Sequence, residues 1–580
     1  ADYTAHRTLE HRLQMIGDAQ TQTIPSGEDA RARVAALSAS QDRTAWETGI
    51  AARLKRVHAS VEAFFVPATP GERAPEPPPD DDSLVNAGFT RPEAARALFE
   101  RWTSGALPAT RSPRARALFA HLQPSLIAKL ARGASPDEAI VQFDRFLSGL
   151  PAGVQVFSLF CANPHLLDLV VEVSAIAPRL AGHLGRAPGV LDALLDPDFF
   201  EPLPEAETLS AELDTVLAPL ADYERVLDAA RRWAREQKFR AGVQVLRALS
   251  DEAEAARAHS AIAEACLVAL LPRVEAEFAR RHGPPPGRGM AVLALGKLGS
   301  REMTGGSDLD LIVIYDAPGD AMSEGRRPLA AAQYYPRLTQ ALVAAFSAPT
   351  AEGRLYEIDM RLRPSGRQGP VATSLAAFST YQRETAWVWE HLALTRARVV
   401  AGAGAKACAL GEEVASTVTQ ALAARRGAVE VIAQASTMRD RLIEAHQRER
   451  STPWALKHTA GGLMEIEFLA QTAILYHGLD RGAGAAGSAL LTLEALGWLK
   501  ASEGQHLNET LVLLRTLQQI ERVALERPFD PETTGLGLRQ AMARALEVAN
   551  FDTLEHHLQE STTQAGEIIE HCFQRLGATD

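Results

Sequence analysis

One stretch, residues 283–402, interrupts a sequence that otherwise follows helical patterns. It starts at the breaker Gly283–Gly287, whose three consecutive prolines cannot continue a helix because proline lacks the backbone N–H and clashes with the preceding turn. A helical pattern over Ala330–Ser347 separates the second and third of three short runs typical of strands: Met290–Leu295, Leu309–Tyr315 and Leu355–Leu362. We therefore predict a mainly α-helical, multidomain chain with one α/β domain.

The length of the chain also predicts several domains. Single hydrophobic cores stop growing near ~250 to 300 residues, and this chain has 580. Residues 67–82 contain six prolines and no large apolar side chain, so we predict an extended linker there. The predicted order is a helical piece (1–66), this linker, a central helical domain (83–282), the α/β domain (283–402) and a C-terminal helical bundle (403–580).

Charge and composition exclude several classes of protein. A net charge of −12 argues against a protein that binds nucleic acid by neutralising phosphates. No run approaches the ~20 apolar residues of a membrane span, and the start has neither a basic flank nor an apolar signal core. The four cysteines are scattered without a CxxC pair, which indicates neither a disulfide framework nor a zinc site. We expect a cytoplasmic protein that binds neither nucleic acid nor membranes.

Two segments near opposite ends of the chain share a leucine and glutamine pattern. The first has Leu9, Leu13, Gln14 and Ile16, and the second repeats the same spacing with Leu513, Leu517, Gln518 and Ile520. Such spacing recurs in helical proteins, so chance and a true repeat explain it about equally well. If the repeat is true, the first 66 residues are the tail of an earlier copy of the same architecture.

Two carboxylates open the second predicted strand. Asp308 and Asp310 stand at i and i+2 in Gly306–Tyr315, so both side chains point to one face of the strand. Magnesium takes oxygen ligands and keeps substrate phosphates in its shell, and two such ions can flank a phosphoryl centre. Acids that cap a turn before a strand give the same pattern. The pair alone therefore does not decide between a site and a turn.

The third predicted strand carries charge along one face. Glu357, Asp359, Arg361 and Arg363 alternate with apolar residues, as they also would on a solvated edge strand. Before the second strand, Leu295–Glu302 forms a small-residue turn whose backbone N–H groups can hold phosphates. A phosphate-holding turn, an Asp-x-Asp pair and a later lone Asp occur in this order in polymerase β-like nucleotidyltransferases. Together they predict such a domain with a mixed sheet.

Three runs resemble the bifunctional glutamine synthetase adenylyltransferase family, whose two halves each carry one such domain. The runs are Gly296–Glu302, Gly306–Ile312 and Tyr356–Gly366, and they are extended by further similar segments at Ala386–His391, Arg396–Val400 and Gly461–Phe468. The resemblance is strong over residues 288–478. Ser300, where the family usually repeats glycine, and Met464–Glu465, where an Asp is common, depart from the family pattern.

Several features resemble the half that adds AMP rather than the half that removes it by phosphorolysis. They are Asp320–Met322, Pro364–Gly366 and the segment with Trp387, Trp389 and His391. The resemblance thus implies an enzyme that transfers AMP from ATP to a tyrosine of glutamine synthetase, releases pyrophosphate and regulates nitrogen assimilation. It also implies a PII-type signalling protein and glutamine as regulators, whose sites the sequence does not locate.

The resemblance assigns roles to individual residues. Asp308 and Asp310 are predicted to bind two metal ions, and Asp359 to bind the ion that activates the nucleophile; these are the predicted catalytic residues. The sequence does not choose between Mg²⁺ and Mn²⁺. The predicted nucleotide-binding residues are Lys297, Gly299, Ser300, Ser307, Arg361 and Arg363.

Other readings remain open at this point. The chain can instead be the deadenylylating half, a uridylyltransferase acting on a PII-type protein, or a non-catalytic binding module, although three intact acids argue against the last. Trp387, Trp389 and His391 are predicted to serve a core or an interface rather than chemistry. Gly461–Gly462 is predicted to start a helix, and Tyr334 and Tyr335 to pack a helix.

Overall fold

The computed structural model confirms a mainly helical chain with one mixed sheet. The described residues are 2–17, 24–25, 27–38, 42–64, 79–132, 135–186, 190–194, 197–424, 427–479 and 486–577. The first helices are α1 (Asp2–Gly17), α2 (Glu28–Leu37) and α3 (Arg43–Phe64). Leu9 and Leu13 of the predicted repeat pack in a small core with Val34 and Ile50.

The predicted linker is only partly described. Residues 67–78 lie outside the described residues, and Asp81 and Asp82 already belong to a helix. That helix begins there because the Asp80 carboxylate accepts the Ser83 N–H at 2.8 Å, as an N-cap does. The central region also has short 3₁₀ turns at 108–110 and 197–200. Its helices are α4 (Asp81–Asn86), α5 (Pro92–Thr103), α6 (Pro113–Leu130), α7 (Pro136–Gly149), α8 (Val154–Ala162), α9 (Pro164–Ile176), α10 (Pro178–Arg186), α11 (Val190–Ala193), α12 (Ala206–Leu217), α13 (Tyr223–Leu246) and α14 (Glu252–His282).

The sheet begins after the proline-rich breaker that ends α14. Tyr334 and Tyr335 are buried in the following domain, as predicted, and donate their hydroxyls to the Gly283 and Pro286 carbonyls at 2.9 and 2.5 Å. Strand β1 pairs antiparallel with β2 and β5, and β2 pairs parallel with β3 and β4. The strands are β1 (Gly289–Ala294), β2 (Leu309–Asp316), β3 (Ile358–Asp359), β4 (Ala372–Ser374) and β5 (Arg398–Ala403).

The third strand is much shorter than the predicted Leu355–Leu362. It ends at Asp359 because that carboxylate accepts the Arg361 N–H at 2.8 Å, which turns the chain away from the sheet. It starts late because the Leu355 N–H donates to the Phe346 carbonyl at the end of a helix, not to a strand. The predicted four-residue charged face therefore does not form.

Helices cover both faces of the sheet. In β1, Met290, Val292 and Ala294 point into a core shared with α12 to α14, whereas Ala291 and Leu293 point into a second core. This alternation explains why β1 is apolar throughout. The second core also contains side chains from both predicted helical domains. The remaining helices are α15 (Gly296–Gly299), α16 (Ala331–Ser347), α17 (Leu375–Glu384), α18 (Val388–Leu394), α19 (Ala407–Ala423), α20 (Ala428–Ala445), α21 (Leu463–His477), α22 (Ala486–Ala495), α23 (Ala501–Ala524), α24 (Leu536–Ala545) and α25 (Phe551–Gly577).

Two further findings concern the described residues. No single helix among them is long and apolar enough to cross a membrane; α8 and α9 meet the criteria only as a pair, which is bent by 115° at its break. All four cysteines are free.

Candidate active site

The three predicted acids lie together at one edge of the sheet. Asp308 directly precedes β2, Asp310 is its second residue, and Asp359 ends β3. Strands β2 and β3 run parallel, and their register places Asp310 opposite Asp359. Neighbouring parallel strands therefore bring the Asp-x-Asp pair and the lone Asp to the same place.

The charges of these acids are unevenly compensated. Burial, followed by the charges of Asp308 and Asp359, raises the pKa of Asp310 to about 6. Burial also acts on Asp359, but Arg361 outweighs it and keeps the pKa of that carboxyl below its ordinary value. Arg361 donates Nε–H to Asp359 Oδ2 at 2.6 Å. Asp310 thus carries the unfavourable negative charge of the group.

A glycine turn presses against Asp310. Gly296 has φ +51°, in the left-handed region, and a Cβ built on it lies 2.1 Å from Asp310 Oδ2. A side chain at this position would collide with the carboxylate, so only glycine fits. The Leu295 N–H also donates to the Asp310 carbonyl at 2.9 Å, which extends the β1–β2 pairing to the turn.

The predicted phosphate-holding amides are used within this turn. The Gly299 N–H donates to the Leu295 carbonyl at 2.9 Å, and the Ser300 N–H to the Gly296 carbonyl at 3.2 Å. A Cβ on Gly299 would lie 2.0 Å from the Arg396 carbonyl. Gly299 and Ser300 therefore shape the turn through backbone packing and hydrogen bonds.

A buried ion network fixes the far side of the turn. Arg396 donates to Ser300 Oγ at 2.7 Å, to Glu302 at 2.7 Å and to Glu467 of α21 at 3.0 Å. Arg515 of α23 also pairs with Glu302. Burial opposes the charge of Glu302, but Arg396 and Arg515 together keep its pKa below the ordinary value. Positive and negative charges are balanced here, which buried ions require.

Two lysines lie between the turn and the C-terminal helices. The Lys297 ammonium donates to the Gln518 side-chain oxygen of α23, and burial lowers the pKa of Lys297 to about 8. Lys457, in the loop before α21, is near enough to Asp310 and Lys297 to affect the pKa of both. Of these two lysines, Lys457 acts on Asp310, as Arg396 does, whereas the Lys297 ammonium is held by α23.

Two predicted nucleotide-binding residues hold loops together. Ser307 Oγ accepts the Thr304 N–H at 2.9 Å, which fixes the turn before Asp308. Arg363 donates to the Met360 carbonyl at 2.7 Å and to the Gly369 carbonyl at 3.2 Å. Both side chains are thus engaged with loop atoms, in contrast to Arg361, which lies on Asp359.

The segment at Gly461 starts a helix, as predicted. Gly462 is the N-cap of α21. Gly461 adopts φ +68°, and a Cβ at this position would collide with the Thr562 carbonyl. Glu465 accepts the Gly461 N–H at 2.6 Å and pairs with Arg439 at 3.1 Å in the interior. Of the two glutamates on this helix, only Glu467 reaches the turn beside the site, through Arg396.

Sequence reasoning missed Arg396, Lys457 and Gln518 as neighbours of the site. Arg396 opens the recognised segment Arg396–Val400 and Lys457 stands shortly before Gly461–Phe468, but no spacing pattern connects either residue with Asp310. Gln518 was singled out only as part of the repeat. These residues come from distant parts of the chain, so only the tertiary fold reveals their positions.

The acids fit a divalent metal ion. All three offer carboxylate oxygens, which suit hard cations such as Mg²⁺ or Mn²⁺. Burial and the charges of Asp308 and Asp359 raise the pKa of Asp310, although Arg396 and Lys457 act in the opposite direction. A bound cation would supply the missing charge.

A second group of metal-ligand types does not fit as well. His446, Glu449 and His458 have ligand atoms within 4.8 Å of one another. The two imidazoles stack, however, with centroids 3.8 Å apart and planes 14° from parallel. Their in-plane lone pairs then run side by side and do not converge on one ion.

Family comparisons agree with this site. The model described as glutamate-ammonia ligase adenylyltransferase matches residues 167–412, which include all three acids. The model described as GlnD PII-uridylyltransferase matches residues 1–67 and 433–575. One model thus matches both segments that carry the leucine and glutamine pattern.

Curated relatives named bifunctional glutamine synthetase adenylyltransferase/adenylyl-removing enzyme match almost the whole chain. The protein from Mesorhizobium japonicum is 40% identical over 573 residues, which cover 96% of this chain and 57% of the relative. That from Xanthobacter autotrophicus is 39% identical over 586 residues, covering 99% and 58%. The chain therefore spans little more than half the length of these relatives. It belongs to the glutamate-ammonia ligase adenylyltransferase family.

Proposed function

We propose that this chain transfers AMP from ATP to a tyrosine hydroxyl of glutamine synthetase and releases pyrophosphate. The observation that carries the proposal is the meeting of Asp308, Asp310 and Asp359 at two neighbouring parallel strands, where three carboxylates offer the oxygen ligands that divalent cations prefer. The names of the curated relatives support glutamine synthetase as the acceptor. Residues Asp320–Met322 and Pro364–Gly366 support the adding direction through their resemblance to the adenylylating half.

Asp308 and Asp310 would hold two divalent ions, and Asp359 would share one of them. Bound there, the ions would neutralise charge on the triphosphate and on the attacking oxygen. A free tyrosine has a pKa of ~10, so ionising it at pH 7 costs roughly 4 kcal/mol. Asp359, held ionised by Arg361, is the group placed to accept the hydroxyl proton.

The reaction is an in-line displacement at the α-phosphorus. The tyrosine oxygen forms the new bond to phosphorus while the bond to the bridging oxygen breaks, and pyrophosphate leaves with that electron pair. We assign the departing phosphates to Lys457, whose charge acts on Asp310, and to Lys297, which lies close to Lys457. Gly299 and Ser300 then act by holding the turn, and Arg361 by holding Asp359.

A direct assay tests this proposal. The purified chain is incubated with Mg²⁺, ATP labelled at the α-phosphate and unmodified glutamine synthetase, and the acceptor is analysed by mass spectrometry. We expect AMP on one tyrosine and one pyrophosphate released per AMP transferred. Absence of label from glutamine synthetase, with either Mg²⁺ or Mn²⁺, would contradict the proposal.

The same preparation tests the reverse direction. The relatives' name includes an adenylyl-removing activity, so adenylylated glutamine synthetase is also incubated with phosphate. ADP release without forward transfer would assign the chain to deadenylylation. A PII-type protein offered with UTP tests uridylyl transfer, and adding that protein or glutamine to the forward assay tests both as regulators.

A further inference from the structure

We propose that the acceptor protein docks on a surface formed by Trp387, Trp389 and Arg367, here named the tryptophan surface. The occupant is a folded protein that presents an exposed tyrosine flanked by acidic side chains. This inference rests on the proposed function, because it identifies where the acceptor of AMP binds.

The two tryptophans are unusually exposed. Trp387 is 64% exposed and Trp389 is 39% exposed, on either side of the first residue of α18. The other five tryptophans are buried or half-buried: Trp46, Trp102, Trp233, Trp454 and Trp498. His391 of the same helix is buried, so the three aromatic residues predicted together serve different purposes. Exposing two large rings costs solvation free energy unless a partner covers them.

Hydrogen bonds connect this surface with the acids. The Glu390 carboxylate accepts the Trp387 N–H at 2.9 Å, which fixes the start of α18. Tyr381 donates its hydroxyl to the same carboxylate at 2.9 Å and also interacts with the backbone of Ser365. Ser365 belongs to the loop that leaves Asp359. The tryptophan surface is therefore anchored to the segment that presents a catalytic acid.

The loop between Asp359 and the tryptophans is held by internal hydrogen bonds and carries positive charge. Arg363 donates to three carbonyls within it, and Ser365 takes the left-handed conformation with φ +61°. Arg367 projects from this loop into solvent and lowers the pKa of Asp359. An exposed guanidinium beside an acidic site in a chain of net charge −12 is a local basic feature. It complements acidic side chains on a partner.

Composition indicates a protein partner. Tryptophan and arginine are enriched among the residues that contribute most to protein–protein binding. Aromatic residues bury ~150 to 250 Å² each when fully covered, and the exposed 64% of Trp387 and 39% of Trp389 remain to be covered by a partner. A small acceptor needs no such surface, whereas a protein must be oriented so that one tyrosine reaches the α-phosphate. The link from Trp387 through Glu390 and Tyr381 to the loop that leaves Asp359 meets that need.

The test compares acceptor KM with kcat in the full chain. In the Trp387→Ala/Trp389→Ala variant we expect the KM for glutamine synthetase to rise about tenfold or more, with kcat changed less than about threefold. Arg367→Glu should raise the same KM. Arg367→Lys keeps the positive charge, so at low salt its KM should stay close to the wild-type value. Leu491→Ala is the matched control, because Leu491 is 67% exposed on α22; its KM should equal that of the wild type.

Two readouts separate the outcomes. Transfer to a short tyrosine peptide should be equal in the wild type and the double variant, because a peptide cannot cover the surface. If the wild type modifies glutamine synthetase and the double variant has the same acceptor KM, the docking proposal is wrong and the proposed function is unaffected. A wild type that modifies no protein acceptor overturns the function, and the docking proposal falls with it.

Discussion

Two groups of charged side chains lie on opposite sides of the Gly296–Glu302 turn, and they differ in how their charge is balanced. On one side Asp308, Asp310 and Asp359 meet, and the pKa of Asp310 is raised to about 6. On the other side Arg396 and Arg515 satisfy Glu302 and Glu467, and the pKa of Glu302 is lowered. The balanced group stabilises the fold, and the unbalanced group is the one suited to bind a cation.

The largest expected effect is on activity, from removing one acid of the unbalanced group. Asp359→Asn or Asp308→Asn should lower AMP transfer at least about a thousandfold, because metal binding and proton acceptance both need these carboxylates. Unfolding in urea should be nearly unchanged for Asp308→Asn, because Asp308 is exposed, whereas Asp359→Asn should also lose the stabilising ion pair with Arg361. Wild-type activity in either variant would rule out the assignment.

The balanced group should respond in the opposite way. Arg396→Gln leaves Glu302 and Glu467 without their shared buried partner, so we expect a loss of about 3 to 5 kcal/mol in the free energy of unfolding. Arg273→Ala is the control: Arg273 pairs with the exposed Asp214 at 2.7 Å, and its loss should cost less than about 1 kcal/mol. The free energy of unfolding is measured in urea for both variants. Equal losses would contradict the expected difference between the buried Arg396 network and the exposed Arg273 pair.

Asp310→Asn should make the metal-free protein more stable. The pKa of Asp310 is raised in the fold to about 6, so its ionised form costs stability above that pH and the cost disappears as the pH falls toward 4. We expect the variant to gain about 1 to 3 kcal/mol at pH 8 in the presence of EDTA, and nothing at pH 4. The measurement is urea unfolding at both pH values. A variant less stable than the wild type at pH 8 would contradict the charge imbalance.

The smallest effect concerns Lys297. Gln518→Leu removes the side-chain oxygen that accepts a hydrogen bond from the Lys297 ammonium, but leaves the lysine itself in place. We expect the KM for ATP to rise about three- to tenfold, with kcat for bound substrates nearly constant. Gln420→Leu, an exposed change on α19, is the control. An unchanged KM would show that Lys297 needs no support from α23.

The sequence predicted the acids because their geometry is local. Asp308 and Asp310 share a strand face through the two-residue period, and Asp359 could be matched to them by the order of motifs. The third strand was predicted too long because the alternation of Glu357 to Arg363 continues past the point where Asp359 turns the chain.

The balancing partners could not be predicted in the same way. Arg396, Lys457 and Gln518 reach the site only because helices from both halves of the chain pack on the sheet. No periodicity in the sequence links them with Asp310. The helical regions were predicted from the 3.6-residue period, but the core shared by α9 and α24 depends on tertiary packing.

Metal binding tests the central claim most directly. Manganese binding is titrated by electron paramagnetic resonance in the presence of a non-hydrolysable ATP analogue, with the wild type and Asp310→Asn in parallel. We expect two bound Mn²⁺ ions per wild-type chain, and weaker binding below about pH 6, where Asp310 takes up a proton. We expect Asp310→Asn to lose both ions. Equal manganese binding by the two proteins would contradict the account.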